Sequence, residues 1–276
     1  MRLDFVKMHG LGNDFVMLEL PADAVLPSPA QWRALSDRHT GIGFDQALVL
    51  QPPRRPATDI YYRVFNADGG EVEQCGNGAR CVAALLRRRR RAEDAPLTLD
   101  SPGGVLRARV LPDGCVSVDM GAPDFEPASL PFSAPARSSS YTLQIAGERL
   151  EVGAVSIGNP HVVLRVPSVE SAPVERIGRA LQSCARFPRQ VNVGFMQVVD
   201  HGHIRLRVYE RGVGETLACG TGACAAVAVG RDLALLAADV EVHVPGGRLS
   251  VHWDGQGEPM WLTGPAQQSF EGHVEI

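Results

Sequence analysis

The sequence predicts an α+β fold of two pseudo-symmetric lobes that arose from an internal duplication. Three observations support this prediction: a long repeated motif, many short strand-like segments, and a strongly apolar helical segment after each copy of the motif. At 276 residues the chain is also long enough for two domains of ordinary size.

The repeat consists of FNADGGEVEQCGNGARCVAALLRR from Phe65 and YERGVGETLACGTGACAAVAVGRD from Tyr209, which begin 144 residues apart. A weaker similarity at an offset of 146 residues aligns Gly12-Asn13 with Gly158-Asn159, and Gln46 with Asn192. This period is far too long for a solenoid and indicates a duplicated half. Identical pairs in the main repeat include Gly70 and Gly214, Glu71 and Glu215, Cys75 and Cys219, Gly76 and Gly220, Gly78 and Gly222, and Ala79 and Ala223.

Period-two alternation and β-branched apolar runs predict many short strands. The segments Ala79–Arg89 and Ala223–Ala237 are instead rich in Ala, Leu and Val and apolar on nearly every side, which is typical of buried central helices. The predicted strands are Phe15–Leu18, Ala47–Leu50, Ile60–Phe65, Val105–Val110, Cys115–Met120, Tyr141–Ile145, His161–Val166, Gly194–Val199, Ile204–Tyr209, Val240–Val244 and Leu249–Trp253.

The segment Gly121–Ser140 is rich in Pro, Ser and Ala, and we predict that it connects the two lobes. We therefore place the boundary near Met120, with residues 1–120 in the N-terminal lobe and 121–264 in the C-terminal lobe. Because each half carries its own copy of the motif, we expect one site between two similar lobes.

Composition indicates an ordinary globular protein, with 45% hydrophobic residues, 21% charged residues and a formal net charge of −4. The N-terminus lacks the apolar core of a signal peptide, and the apolar stretches are too short to cross a bilayer, so we expect a cytoplasmic protein without membrane contact. The arginine run Arg87–Arg91 is interpreted as a solvated helix C-terminus rather than a nucleic-acid site.

Two of the six cysteines carry the most informative pattern, because Cys75 and Cys219 each begin a Cys-Gly-x-Gly-Ala motif before a predicted helix. The positive end of a helix dipole favours a thiolate, so we expect the pKa of these thiols to fall from about 8.5 toward neutrality. The glycines also allow consecutive backbone N–H groups to bind a carboxylate. The remaining cysteines are interpreted as small buried residues: Cys81, Cys115, Cys184 and Cys224.

Two equivalent thiols suit the inversion of an amino acid's α-carbon. One group removes the proton from one face as a thiolate, and the other delivers a proton to the opposite face as a thiol. Donors at helix N-termini would stabilise the carbanion that develops. We expect no metal site, since the spacings from Cys75 to Cys81 and from Cys219 to Cys224 are not those of zinc ligands.

The chain has a single lysine, Lys7, and this limits which cofactors it can use. Pyridoxal phosphate enzymes need a lysine for the Schiff base, and Lys7 lies in an extended-looking segment without a phosphate-binding motif. We therefore expect a mechanism without a cofactor.

These motifs resemble the diaminopimelate epimerase family: GLGNDF, GFDQ, FNADGGEVEQCGNGARC, GNPH, VNVGF and YERGVGETLACGTGACA occur in that order from residue 10 to residue 225. The resemblance implies that each lobe is a strand-rich barrel around a central helix, with residues 265–276 returning to the first lobe. It also implies cofactor-free interconversion of LL- and meso-2,6-diaminopimelate, in lysine and peptidoglycan precursor synthesis, by a homodimer.

The resemblance also implies roles for single residues. Cys75 and Cys219 match the base and acid, and His161 and Glu210 match auxiliary residues that hold the reacting amino group and tune the thiols. The donors to the reacting carboxylate match Gly76, Asn77, Gly220 and Thr221. The residues that read the distal amino-acid end match Asn13, Asn66, Asn159, Asn192 and Arg211, with Gln46 nearby.

Each of these residues also has a purely structural interpretation. His161 follows Pro160 and suits a hydrogen-bonded core histidine. Glu210 and Arg211 suit a solvated pair. Turns are a common use of asparagine, and this interpretation applies to Asn13, Asn66 and Asn192.

Two alternative functions remain open at this stage. A racemase of the proline type would also use paired cysteines, but it would not need Arg211 or the asparagines to read a second amino-acid end. A thiol-redox binding protein would oxidise Cys75 and Cys219 to a disulfide. A relative that had lost its cysteines is excluded by the presence of both residues.

Overall fold

A computed structural model describes residues 2–72, 76–90 and 95–276. The strands are β1 (Arg2–Gly10), β2 (Asn13–Glu19), β3 (Gln46–Gln51), β4 (Ile60–Asn66), β5 (Glu71–Val72), β6 (Leu97–Ser101), β7 (Gly104–Val110), β8 (Val116–Asp119), β9 (Tyr141–Ile145), β10 (Glu148–Ser156), β11 (Pro160–Arg165), β12 (Asn192–Asp200), β13 (His203–Glu210), β14 (Gly214–Thr216), β15 (Asp239–Val244), β16 (Gly247–His252), β17 (Trp261–Gly264) and β18 (Gln267–Glu275). The helices are α1 (Pro29–Ser36), α2 (Gly76–Arg90), α3 (Val174–Gln182) and α4 (Gly220–Asp232).

The chain divides into two compact units. The first unit comprises Met1–Val118 together with Gly264–Ile276, and the second comprises Asp119–Thr263. The domain limits expected from the sequence, 1–120 with 265–276 and 121–264, stay a prediction.

The strand pairing inside each unit follows the same scheme. In the first unit the order is β18, β1, β2, β3, β4, β6, β7, β8, with β5 also paired to β4. In the second unit the order is β9, β10, β11, β12, β13, β15, β16, β17, with β14 also paired to β13. Parallel pairs occur at the same two places in both units, so the topology shows the duplication that the repeat predicts.

All eleven predicted strands overlap a strand of the structure. The strands that the pattern did not predict either interrupt their apolar period with charge, as β1 does at Asp4 and Lys7, or are very short. Strand β18 is mostly exposed and polar, and it is held by pairing along almost all of β1. The strands without a sequence prediction are β1, β5, β6, β10, β14, β17 and β18.

Helices α2 and α4 lie against several strands of their own unit, as the apolar segments predict. In α4, every residue from Gly222 to Gly230 is buried. The predicted end of this helix at Ala237 is wrong, because α4 ends at Asp232. Ala234 adopts a left-handed conformation (φ 56°), and the Leu235 N–H donates to the Gly230 carbonyl at 2.8 Å, which stops the helix.

The two shorter helices were not predicted from the sequence. Helix α1 begins with a capping box, in which the Ser28 hydroxyl accepts from the Gln31 backbone and the Gln31 side chain accepts from the Ser28 backbone. Helix α3 buries Val174, Ile177 and Leu181, which have helical spacing. Both signals were present in the sequence.

The Pro-rich segment Gly121–Ser140 is more than a connection. Phe125, Leu130 and Phe132 are buried in the second unit, and the Phe132 ring stacks on Phe187 with 4.7 Å between centroids. Much of this segment therefore belongs to the core of the second unit.

Arg87 to Arg90 of the arginine run belong to the last turn of α2. Arg88 donates to the Gln268 side chain, and Arg89 forms an ion pair with Glu19. Arg91 lies outside the described residues. No helix in the part of the chain that the structure describes is both long enough and apolar enough to cross a membrane.

Candidate active site

Cys219 lies at the N-terminus of α4, as the sequence predicts. It is the N-cap residue and is only 5% exposed. The first turn of α4 packs closely against it, because a Cβ atom on Gly222 would lie 3.3 Å from the Cys219 Sγ and 2.9 Å from Val208 Cγ2. Glycine at position 222 is therefore what lets the thiol pack against its own helix.

The Cys219 thiol faces a carboxylate. Its Sγ donates to Glu210 Oε2 at 3.1 Å and lies 3.6 Å from the Thr221 hydroxyl. The other oxygen of Glu210 accepts a 2.6 Å hydrogen bond from the Thr216 hydroxyl. Strands β13 and β14 form the hairpin that carries Glu210 and Thr216, so this local structure fixes the carboxylate beside the thiol. Thr216 was not predicted as a site residue.

The expected lowering of the Cys219 pKa is wrong in this structure. Burial raises the pKa of the Cys219 thiol well above its usual value, and the negative charge of Glu210 raises it further. A hydrogen bond from the Thr221 hydroxyl and the N–H of Gly222 act in the opposite direction but do not outweigh these two effects. Cys219 therefore rests as a neutral thiol, which is the form that can donate a proton.

His161 belongs to the same group of side chains. It is 1% exposed, and its Nε2 lies 2.9 Å from Asn159 Oδ1. Asn159 Nδ2 in turn lies 3.4 Å from the Thr221 hydroxyl, which it faces as a donor. Burial lowers the pKa of His161 to about 3, with a smaller effect from Arg211, so the imidazole is neutral. The buried Nδ1 atom makes no hydrogen bond to any described residue.

Asn192 is buried and uses both ends of its amide on the backbone. Its Nδ2 donates to the Pro160 carbonyl at 3.1 Å, and its Oδ1 accepts from the Arg211 N–H at 2.8 Å. The Arg211 side chain is exposed, and one guanidinium N–H reaches the Arg189 carbonyl at 3.3 Å. Asn192 therefore orients the segment that carries Arg211.

The second unit thus brings one half of the predicted site together. The geometry links Asn159, His161, Glu210, Cys219 and Thr221 through a continuous set of hydrogen bonds. Gly220 is the first residue of α4, beside Cys219.

The first unit brings together two pairs of predicted polar residues. Gln46 and Asn66 face each other across β3 and β4, and Gln46 Nε2 donates to Asn66 Oδ1 at 2.9 Å. Asn77 Nδ2 donates to Asn13 Oδ1 at 3.1 Å. Asn13 follows a tight turn at Leu11 and Gly12, both with positive φ, which places it at the start of β2. Gly76 begins α2, whereas Cys75 lies outside the described residues.

A charged network beside Asn13 was not predicted as part of the site. Asp14 accepts from Lys7 Nζ at 2.6 Å and from Arg38 Nη1 and Nη2 at 2.9 and 2.8 Å. Although burial opposes it, hydrogen bonds from Arg38 and Lys7 hold the pKa of Asp14 well below its usual range. Lys7 also donates to the Gly43 carbonyl, so the single lysine is committed to this network. The strings GLGNDF and GFDQ contained Asp14 and Asp45, and they were the signal available.

In the described part of the chain, no group of three or more His, Cys, Asp or Glu side chains is arranged to hold a metal ion. The five described cysteines form no disulfide with one another: Cys81, Cys219 and Cys224 are buried, whereas Cys115 and Cys184 are partly exposed.

Solved structures share this fold at low sequence identity. The chain matches a phenazine biosynthesis protein of the PhzF family from Bacillus anthracis with a TM-score of 0.70, 20% identity and 100% of both chains covered. It matches a hydroxyproline epimerase from Agrobacterium vitis with a TM-score of 0.70 and 15% identity, over 99% of this chain and 92% of that one. At these identities the similarity shows the fold alone.

Sequence relatives are much closer. A diaminopimelate epimerase from Thioalkalivibrio sulfidiphilus is 54% identical over 278 residues, which cover 100% of both chains. The family model described as diaminopimelate epimerase matches residues 5–126 and 153–268. The chain is thus an isomerase of the amino-acid epimerase class that works without pyridoxal phosphate. It belongs to the diaminopimelate epimerase family, which confirms the resemblance inferred from the motifs.

Proposed function

We propose that this protein interconverts LL- and meso-2,6-diaminopimelate without a cofactor, and that Cys219 is one of its two proton-transfer groups. The observation that carries the proposal is the buried Cys219 thiol at the N-terminus of α4, hydrogen-bonded to Glu210 at 3.1 Å. A buried neutral thiol at this position is set up to donate a proton to a carbanion. The expected setting is lysine and peptidoglycan precursor synthesis.

In the proposed step, the thiolate of Cys75 removes the α-proton, so the Cα–H bond breaks and an S–H bond forms on Cys75. The Cys219 S–H bond then breaks as its proton passes to the opposite face of the α-carbon, which leaves Cys219 as a thiolate. In the reverse direction the two residues exchange roles. Electron pairs and protons balance without an oxidant or a reductant.

The neighbours of Cys219 support this role. When Cys219 loses its proton, burial and Glu210 both disfavour the resulting thiolate, which makes it a strong base for the return step. Backbone N–H groups at the start of α4, from Gly220 and Thr221, are the proposed donors to the reacting carboxylate. His161 and Glu210 are the proposed partners of the reacting amino group, and the neutral His161 leaves its Nδ1 as an acceptor.

The remaining residues are proposed to read the distal amino-acid end. In the second unit these are Asn159 and Arg211, with Asn192 orienting the Arg211 backbone. Arginine suits a carboxylate because its planar guanidinium can donate two parallel hydrogen bonds. In the first unit they are Asn13 and Asn66, with Gln46 holding Asn66. Gly76 and Asn77 are proposed to complete the donors at the reacting carboxylate.

The test is solvent deuterium exchange. Reduced protein is incubated with LL- or meso-diaminopimelate in deuterated water, and deuterium at the α-carbon is measured by mass spectrometry. We expect wild-type incorporation with both isomers and a loss of about 10²- to 10⁴-fold in Cys75→Ala and Cys219→Ala. Cys184→Ala serves as the matched control, because Cys184 is a partly exposed cysteine beside α3 and outside the site.

The outcomes separate the alternatives. Exchange with proline and none with diaminopimelate would favour a racemase of the proline type. Absence of exchange with any amino acid, together with a disulfide between Cys75 and Cys219 after mild oxidation, would favour a thiol-redox protein. Wild-type exchange rates in both cysteine variants would contradict the two-thiol mechanism.

We also propose that the protein is cytoplasmic and forms a homodimer. The molar mass in solution, measured by light scattering during size-exclusion chromatography, tests the second statement. A mass near twice the 29.6 kDa of one chain is expected.

A further inference from the structure

Two of the proposed substrate-binding asparagines lie in a hydrogen-bonded chain with a definite direction. Arg80 Nη2 donates to Asn77 Oδ1 at 3.0 Å, and Asn77 Nδ2 donates to Asn13 Oδ1 at 3.1 Å. Asn13 Nδ2 then donates to Asp45 Oδ2 at 3.0 Å. Every step runs from Arg80 toward Asp45, and all four residues belong to the first unit.

The direction matters because an asparagine amide has two ends of nearly the same shape and opposite hydrogen-bonding character. Rotation of either amide by half a turn would exchange a donor for an acceptor at the site. Only the two ends of this chain have no such ambiguity. A guanidinium can only donate and a carboxylate can only accept, so Arg80 and Asp45 together allow one orientation for Asn77 and Asn13.

Arg80 is held firmly enough to impose this orientation. It is fully buried in α2, and its Nε approaches the Pro265 carbonyl at 3.4 Å. Gly10 leaves room for the guanidinium, because a Cβ atom there would lie 3.2 Å from Arg80 Nη2. At the other end, Asp45 also accepts from Arg38 Nη2 at 2.8 Å and from the Asp14 N–H at 3.0 Å.

The second unit shows what happens without this arginine. The residue equivalent to Arg80 is Cys224, and the equivalents of Asn77 and Asn13 are Thr221 and Asn159. There the hydrogen bond runs the opposite way, from Asn159 Nδ2 to the Thr221 hydroxyl at 3.4 Å. The Asn159 carbonyl oxygen faces His161 instead. In the second unit the orientation of Asn159 therefore follows from its contacts with Thr221 and His161, and no described arginine of the central helix takes part.

We propose that Arg80 and Asp45 are positioning residues that fix the amide orientation of Asn77 and Asn13 and so determine which atoms these asparagines offer to diaminopimelate. The inference rests on the proposed function, because it assigns a specificity role within the same site. An amide has two N–H groups and two carbonyl lone pairs, and this chain uses one of each in Asn77 and in Asn13. The direction of the second N–H and the second lone pair of each amide therefore depends on the chain.

The test compares kinetics of Arg80→Gln and Asp45→Asn with wild type. Both substitutions keep a polar side chain, of the same size at position 45 and shorter at position 80. Each replaces a group that can only donate or only accept with an amide that can do both. We expect KM for diaminopimelate to rise about tenfold in each, with kcat changed less than about threefold. Arg80→Lys keeps a donor-only group and is expected to retain a KM nearer to wild type. Asp254→Asn, the same change at an exposed carboxylate, is the control.

A double-variant cycle distinguishes positioning from a structural role. If both residues act through one hydrogen-bonded chain, either single substitution already releases the orientation of the two amides. The KM of the double variant, Arg80→Gln with Asp45→Asn, should therefore be only slightly higher than the larger KM of the two single variants. Multiplied effects would overturn the proposal, and so would unchanged KM in both single variants or equal losses in Arg80→Gln and Arg80→Lys.

The design separates this inference from the proposed function. Wild-type protein without diaminopimelate exchange would refute the proposed function, whereas active wild type with unaffected variants would refute the positioning role alone. If Arg80→Gln fails to fold, Asp45→Asn decides the question, because the Asp45 side chain is 44% exposed and its replacement leaves the core intact. In that case unchanged KM in Asp45→Asn overturns the proposal.

Discussion

The two units share a scaffold but differ in the polar groups that they build on it. Both units use the same strand order, and in both a bidentate ion pair joins the two strands of the hairpin before the cysteine motif. Arg63 contacts Glu71 through two bonds of 2.7 Å, and Arg207 contacts Glu215 through bonds of 2.6 and 2.8 Å. The duplication has therefore preserved the elements that place each motif.

The side chains around the motifs have diverged. Where the second unit has Glu210 and His161, the equivalent positions of the first unit have Asn66 and Phe15. The second unit surrounds its thiol with acid and base groups, whereas the described part of the first unit supplies amides oriented by Arg80 and Asp45. In the proposed mechanism, inversion uses an equivalent thiol from each half, while recognition of the distal amino-acid end uses the neighbours that differ between the halves.

Among the variants that keep both motif cysteines, the largest effect is expected from removing the charge beside the Cys219 thiol. Glu210→Gln should lower kcat about 10²-fold, because an uncharged amide replaces the carboxylate beside the Cys219 thiol and cannot act as an acid or a base in proton transfer. It should also lower the pKa of Cys219, since the repulsion by the carboxylate is lost. The pKa is measured from the pH dependence of Cys219 alkylation, followed by peptide mass spectrometry in a Cys75→Ala background. Glu258→Gln is the control, and an unchanged alkylation profile would contradict the role of Glu210.

A substitution at the helix start tests how closely the thiol must be packed. Gly222→Ala adds a Cβ atom 2.9 Å from Val208 Cγ2 and 3.3 Å from Cys219 Sγ. We expect kcat to fall about tenfold and the free energy of unfolding to fall by about 1–3 kcal/mol. Gly202→Ala, whose added Cβ would have its nearest neighbour at 3.6 Å, should change neither quantity. Full activity in Gly222→Ala would show that the packing is not needed.

The second unit has His161 where the first unit has Phe15, and the pH dependence of stability tests the effect of this difference. The folded-state pKa of His161, about 3, lies below the unfolded value of about 6.5, so the unfolded state binds an extra proton between these values. This part of the stability is present above pH 6.5 and is lost as the pH falls toward 3. His161→Phe copies the first unit and should reduce the loss of unfolding free energy between pH 7 and pH 5 by about 2 kcal/mol.

Urea unfolding at the two pH values measures this quantity, with His203→Gln as an exposed control. An identical pH dependence in wild type and His161→Phe would show that His161 is not the buried neutral group that the structure describes.

The smallest effect is expected for the ion pairs that the two units share. Arg63→Gln and Arg207→Gln should each lower the free energy of unfolding by about 1 kcal/mol, because both ion pairs are partly exposed. Arg207 also donates to the Val169 carbonyl at 2.7 Å, so its loss should be slightly larger. Thermal unfolding of both variants measures these losses. If the losses of unfolding free energy in the two variants differ by several kcal/mol, the two ion pairs do not stabilise their units equally.

Local patterns in the sequence were sufficient for Cys219, the central helices and most strands. The Cys-Gly-x-Gly-Ala pattern predicted a cysteine at a helix N-terminus, and Cys219 occupies that position because glycine permits the close first turn. The capping box of α1 and the helical spacing in α3 were equally local signals. The predicted end of α4 failed because Leu236 packs back onto Gly230, a contact made outside the helix.

The charge state of Cys219 was decided only by the tertiary structure. Its pKa depends on how deeply the thiol is buried and on Glu210, and neither can be judged from the motif itself. The bond from Asn77 to Asn13 likewise joins residues that are 64 positions apart. The duplicated groups and the starts of the central helices can be recognised from the sequence, because those properties depend on near neighbours. Folding decided which side chains meet and how they are charged, because electrostatic interactions depend on distance and burial rather than on sequence separation.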